Sequence, residues 1–176
     1  GDVTALAAGG VERRTSPGAP FSGKLLIRGP GKSEGWTGEI EVILAWKEDF
    51  GKHTSSYIDD KEWKDSISSA GMKQMNSLVS GIWNEERWEE LLEKSEIFVE
   101  ESGLLKDSLR SELLNDVQEI INQSKSNFKP LLCLLGKSIV IVPKDIKNKN
   151  SDLDSFAELL EKAGFNAIRT KVGELF

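Results

Sequence analysis

The sequence contains almost no cysteine or histidine, the residues that form zinc centres and disulfide frameworks. Cys133 is the single cysteine and His53 the single histidine among 176 residues. One cysteine cannot form an internal disulfide, and together the two residues cannot supply the ligands of a structural zinc site. A Ser-His-Asp or Cys-His arrangement would have to use His53, which lies in a polar stretch. We therefore predict no catalytic residue, no metal site and no cofactor from these patterns.

Long apolar runs are also missing. The longest, residues 131–142, contains Lys137 and falls short of the roughly 20 residues that cross a bilayer. Residues 3–8 form a short apolar stretch interrupted by Thr4, which does not fit a secretory signal. The lone thiol of Cys133 suits a reducing compartment, so we expect an intracellular location, cytoplasmic or nuclear.

The composition is that of a soluble globular protein, with 38% hydrophobic and 30% charged residues and a mean hydropathy of -0.35. The length fits one domain. Residues 1–20 are rich in Gly, Ala, Pro and Ser and have no apolar periodicity, which predicts a flexible leader. The predicted organisation is therefore a leader over residues 1–20 and a single domain over residues 21–176.

Apolar patterning divides the first part of this domain into strands and helices. Short apolar or alternating runs predict strands at 24–28 and 39–46, which form an N-terminal β-hairpin around a glycine-rich loop. From Asp60 onward the period becomes helical, which predicts three to four central helices. The first helix is expected to end at Gly71. A later helix has Ser95 at a position where the helical spacing of its apolar residues predicts another apolar residue.

The last forty residues alternate between strand and helix patterns. An apolar strand at 138–142 is followed by a capping-box signature at 151–154, a helix that stops at Gly164 and a strand at 165–170. Such a β-α-β unit normally joins parallel strands through a crossover. The predicted fold class is therefore α/β, with mixed α+β as the open alternative.

Charge is unevenly distributed along the chain, whose net charge is -6. Residues 34–123 carry nine basic and twenty-one acidic side chains, whereas residues 124–150 carry six lysines and one acid. Like charges clustered in one region repel one another unless opposite charges lie near them. The two segments are therefore either complementary within the fold or form a polar contact surface.

Two Gly-Lys-Ser sequences invite comparison with a phosphate-binding loop, at Gly31 and at Gly136. A P-loop requires another glycine five positions earlier, and Leu26 and Leu131 occupy those positions. Each motif is also followed by a strand pattern where a helix should begin. We interpret both as turns.

The five tryptophans lie within residues 36–88, among many acids. Aromatic rings can stack on nucleic-acid bases when basic residues surround them, but here the neighbouring acids would repel phosphates. We interpret the tryptophans as core or protein-contact anchors, with Trp36 the one most expected at the surface.

The leading hypothesis is a non-enzymatic protein–protein interaction or assembly protein, a scaffold- or adaptor-like domain that binds another protein or itself. It depends on the segregated charge and on the absence of a catalytic constellation. The interaction candidates are Trp36, Lys32, Lys144, Lys147, Lys149, Leu175 and Phe176.

Two alternatives belong to other classes. Nucleic-acid binding would use basic residues of the leader and of the lysine-rich segment, namely Arg13, Arg14, Arg28, Lys125 and Lys129. A small-molecule or nucleotide site would lie near the carboxyl ends of the parallel strands, where open α/β sheets place their ligands.

Overall fold

A computed structural model describes residues 10–16, 18, 21–22, 27–48, 59–133, 136–147 and 152–173. Within these residues the chain forms, in order, β1 (Val11–Ser16), β2 (Phe21–Ser22), β3 (Ile27–Arg28), β4 (Lys32–Trp36), β5 (Glu41–Trp46), α1 (Lys61–Leu78), α2 (Trp88–Glu101), α3 (Ser108–Ser124), β6 (Phe128–Leu132), β7 (Ser138–Pro143), α4 (Leu153–Lys162) and β8 (Asn166–Lys171). Short 3-10 turns, Glu85–Arg87 and Leu104–Lys106, precede α2 and α3.

The main sheet has the strand order β6-β7-β5-β8, and every neighbouring pair in it is antiparallel. The prediction of an α/β fold with paired parallel strands at the C-terminus is therefore wrong, and the fold is mixed α+β. Strands β7 and β8 do run in the same direction, because each pairs antiparallel with β5. Strand β5 lies between them. Its residues Val42, Ile43 and Ala45 point to both faces of the sheet and are all buried, as expected of a central strand that is packed on both faces.

The N-terminal strands form a nested hairpin, in which β1 pairs with β4 and β2 pairs with β3. This corrects the predicted hairpin between 24–28 and 39–46, because β5 pairs only in the main sheet among the described strands. It also places residues 11–16 in a strand, where the sequence predicted a flexible leader; residues 1–9 lie outside the described part of the chain. The loop expected between the two strands contains β4.

Three of the helices begin at an aspartate N-cap. The side chains of Asp60, Asp107 and Asp152 each accept a hydrogen bond from a backbone N–H in the first turn of α1, α3 and α4. Helix α1 continues through Gly71 to Leu78, so the predicted stop at that glycine is wrong.

The two faces of the main sheet carry separate cores. Ile43, Ile139 and Ile141 point to the face covered by α3 and α4. On the opposite face, Val42 and Val142 pack with Trp88, Leu92 and the N-terminal hairpin. Helix α2 contributes to both cores and so passes the edge strand β6. Pro130 is tolerated in β6 because an edge strand has one side free of ladder hydrogen bonds.

Candidate functional site

An apolar pocket of about 370 Å³ lies between α1, α2 and strands β6 and β7. Its volume falls within the range of small-molecule sites, roughly 300 to 1,000 Å³. Residues of both cores line it, because it lies where α2 passes the sheet edge. It is therefore the candidate binding site of this fold.

The sheet wall of the pocket is formed by neighbouring side chains on adjacent strands. Leu131 on β6 is paired with Val140 on β7, and both line the pocket. Val140 is in turn opposite Leu44 on β5, which is opposite Ile168 on β8. Directly opposed residues share a face, so an apolar row extends from the pocket across the sheet. Leu44 is 37% and Ile168 53% exposed.

The helical walls contain small residues that create the space. Gly71 of α1 and Ser95 of α2 both line the pocket. A Cβ added at Gly71 would have Cε2 of Phe98 at 3.7 Å as its nearest contact, which is an ordinary van der Waals separation. The glycine therefore leaves open space on this wall, and no close backbone approach depends on it.

Most polar groups of the lining are already bonded within the protein. The Gln74 side-chain amide donates to Glu101 Oε2 at 2.7 Å, and Ser95 Oγ donates to the Leu91 carbonyl at 2.7 Å. Lys73 also forms an ion pair with Glu101. The hydrogen bond from Lys73 is the main cause that holds the pKa of Glu101 below its ordinary value. Glu101 thus ties α1 to α2 beside the pocket.

Lys94 carries the one charge among the residues that line this pocket. Its side chain is 23% exposed, and Nζ lies 3.9 Å from Glu93 Oε1, a long and weak ion pair. A half-buried lysine keeps its methylene stem against apolar surface and its ammonium group near water. Lys94 can therefore meet an anionic group on a molecule that enters the pocket.

A smaller polar pocket of about 230 Å³ lies beside α3 and the end of β5. It contains Lys47, whose Nζ lies 2.7 Å from Asp116 Oδ2 and 4.6 Å from the Phe165 ring centroid. The ion pair and the ring contact already engage the ammonium group. This pocket is therefore the weaker candidate for a ligand.

Arg13 connects the N-terminal hairpin to the end of α1. Its guanidinium donates to the carbonyls of Leu78 and Gly81 at 2.5 and 2.6 Å, and to Glu34 at 2.6 Å. It also lies 5.2 Å from the Trp83 ring centroid. The side chain is 4% exposed. A residue predicted to contact phosphates from an exposed leader is instead a buried structural link.

Four of the predicted interaction residues lie in the described part of the chain. Trp36, the tryptophan most expected at the surface, is half-buried. Its ring centroid lies 6.3 Å from that of Trp88 in an edge-on arrangement, so Trp36 packs against the core. Lys32 is exposed at the start of β4, and Lys144 and Lys147 are exposed after β7. Their role as contacts stays a prediction. The remaining candidates, Lys149, Leu175 and Phe176, lie outside the described residues.

The predicted nucleic-acid residues lie on several different elements. Lys129 forms a 2.6 Å ion pair with Glu96 of α2, so the lysine-rich and acidic segments are partly complementary within the fold. Lys125 is exposed at the end of α3, and Arg14 is half-buried in β1. Arg28 lies in β3, and nothing is described of its side chain. Nucleic-acid binding by these residues stays a prediction.

Two positions of the pocket wall have a signal in the local sequence pattern. Ser95 interrupts an apolar stripe, and Gly71 lies within a helical period; both are small residues on facing helices. The contact between α1 and α2 places Gly71 and Ser95 beside the same pocket. The local sequence pattern does not predict this contact.

Among the described residues, none of the helices is long and apolar enough to span a membrane, and no group of three or more His, Cys, Asp or Glu side chains could hold a metal ion.

Comparison with known proteins gives a likeness of fold. No protein-family model and no curated protein matches the sequence. A solved structure described as "Phosphotransferase related to CoA biosynthesis pathway" is similar, with a TM-score of 0.64 and 20% sequence identity. The match covers 98% of this chain and 48% of that one, so this chain spans about half the length of the matched structure.

This match contradicts the hypothesis of a non-enzymatic scaffold, assembly or self-association domain, because the matched structure is described as a phosphotransferase. It agrees better with the alternative of a small-molecule- or nucleotide-binding domain. The expected place of that site must also be corrected. The sheet has no paired parallel strands whose carboxyl ends could form a crevice, and the pocket lies instead between two helices and the sheet edge.

Proposed function

We propose that this chain is a small-molecule-binding domain of a phosphotransferase-type enzyme, and that the pocket between α1, α2 and the sheet receives part of the substrate. The observation that carries the proposal is the pocket itself: about 370 Å³, apolar walls and one lysine. Specific small-molecule sites typically combine mostly apolar walls with a few placed polar groups.

The similar fold of the phosphotransferase supports the proposal. Folds host many functions, so the pocket is the main support for the proposal. The similar fold is consistent with it. The proposal covers binding and assigns no residue to phosphoryl transfer. We also propose an intracellular location, in the cytoplasm or nucleus, on the basis of the lone Cys133, which is a free thiol.

The test compares ligand-induced thermal stabilisation of the native chain with that of a variant whose pocket is filled. The panel contains nucleotides, sugar phosphates and small organic acids. A ligand at a hundred times its Kd stabilises the folded state by about 2.7 kcal/mol, which raises Tm by roughly 5 to 10 °C for a chain of this size.

Gly71→Leu places a side chain in the pocket, because the glycine lines it and a Cβ there would make only an ordinary contact with Phe98. Ser68→Leu, on the exposed side of the same helix, is the matched control. We expect at least one compound to stabilise the native chain and Ser68→Leu but not Gly71→Leu. A panel in which no compound makes this distinction would refute the proposed function.

A further inference from the structure

We propose that the pocket binds the apolar tail of an amphipathic small molecule whose single anionic group meets Lys94. This inference rests on the proposed function and specifies the substrate class for the same site. It follows from the chemistry of the walls, from the space between the small residues and from the charges around Lys94.

The walls favour a hydrocarbon tail over a base or sugar. The side-chain amide of Gln74 and the hydroxyl of Ser95 already donate to protein acceptors, and the other lining side chains are apolar except for Lys94. A base or sugar placed here would bury several polar groups without partners, which costs about 1 to 3 kcal/mol for each group. A hydrocarbon chain has no such groups and gains about 0.8 kcal/mol for each methylene buried.

The position of the open space also fits a chain-like group. Gly71 and Ser95 leave room between the two helices, and Leu131 and Val140 form the sheet wall opposite them. The apolar row continues beyond the pocket to Leu44 and Ile168, so a longer tail would still lie on apolar surface. An unbranched tail can follow such a path.

The charges near the pocket select for one negative charge. Lys94 is weakly paired with Glu93 at 3.9 Å, so its ammonium group can still bind an anion. Glu90, one helical turn before Lys94, also interacts electrostatically with it, and Glu101 binds the pocket-lining Gln74. Repulsion from these acids grows with the charge of the ligand, so a polyphosphate is disfavoured relative to a monoanion.

The test uses isothermal titration calorimetry with hexanoate, octanoate and decanoate, and with the alcohols of the same chain lengths. In the native chain we expect the affinity for both series to rise about fourfold for each added methylene. Lys94→Met keeps the apolar stem and removes the charge. It should weaken carboxylate binding about tenfold and leave alcohol binding unchanged. Lys64→Met, an exposed lysine of α1, is the charge control.

Gly71→Leu should abolish binding of both series, and Ser95→Leu repeats this test from the facing helix if the first variant does not fold. A flat dependence on chain length, or equal loss of carboxylate and alcohol binding in Lys94→Met, overturns the inference. Suppose that neither the carboxylates nor the alcohols bind, but that a nucleotide or sugar phosphate binds the native chain and not Gly71→Leu. This inference then fails and the proposed function stands. If Gly71→Leu changes the binding of no compound, the inference and the proposed function both fail.

Discussion

Gly71 on α1 faces Phe98 on α2 across a gap that would admit a side chain, because a Cβ at Gly71 would lie 3.7 Å from the phenylalanine ring. Both residues line the candidate pocket. The helix has normal geometry at this point, so the glycine is not required by backbone conformation. Its effect is to leave space at the cost of helix stability.

Gly71→Ala should therefore stabilise the protein. Alanine has the higher helix propensity by about 0.5 to 1 kcal/mol, and its methyl group meets no close contact. We expect a rise of that size in the free energy of unfolding, measured by urea denaturation with an unchanged m-value. Gly164→Ala is the contrasting control, because φ there is +85° and alanine would be strained. Destabilisation by Gly71→Ala would show that the space at the helix contact is not available.

Removal of the Arg13 guanidinium should detach the N-terminal hairpin from the end of α1. Arg13→Met leaves the Leu78 and Gly81 carbonyls without this donor, and we expect a loss of about 2 to 3 kcal/mol. Lys32→Met, on an exposed side chain of the same hairpin, should change stability by less than about 0.5 kcal/mol. Equal effects of the two substitutions in chemical denaturation would contradict the structural role of Arg13.

The tryptophans Trp36 and Trp88 pack against each other but differ in hydrogen bonding. Trp88 Nε1 donates to the Pro143 carbonyl at 2.8 Å, whereas Trp36 Nε1 is buried and has no hydrogen-bond partner among the described residues. Trp88→Phe should cost about 1 to 3 kcal/mol more than Trp36→Phe, because it leaves a carbonyl without its donor. Paired denaturation curves measure the difference, and a larger cost for Trp36→Phe would contradict it.

Acid should weaken the contact between α1 and α2 through Glu101. Hydrogen bonds from Lys73 and Gln74 lower the pKa of this carboxyl in the folded chain. Its stabilising contribution is therefore complete above the unfolded-state pKa of about 4.3 and is lost as the pH falls through the lower folded-state value.

The measurement is the free energy of unfolding of native and Glu101→Gln chains between neutral pH and pH 3. The native chain should lose its advantage over the variant as the pH falls below about 4.3. Glu100→Gln, an exposed neighbour, is the charge-matched control. A difference between native and Glu101→Gln chains that does not vary with pH would contradict the role of the carboxylate.

Local pattern predicted the elements better than their partners. The alternation in β5, the apolar run in β7 and Asp60 before α1 each marked an element that forms, because these signals depend on neighbours within a few residues. The insertion of β5 between β7 and β8 depends on residues 92 to 130 positions apart. Arg13 likewise finds its acceptors 65 and 68 positions later. No local signal in the sequence distinguishes Arg13 from an arginine in a flexible leader. The pocket likewise forms only through long-range packing.

The most direct test of the pocket uses the two methionines of the chain. Met75 lines the pocket, whereas Met72 lies three residues earlier and is 66% exposed. With ¹³C-methyl-labelled methionine, the NMR spectrum contains one signal from the pocket and one internal reference. Titration with octanoate, or with a compound that stabilises the chain, should shift the Met75 signal and leave the Met72 signal in place. Stabilisation of the chain without a shift at Met75 would place the binding site elsewhere and contradict the account.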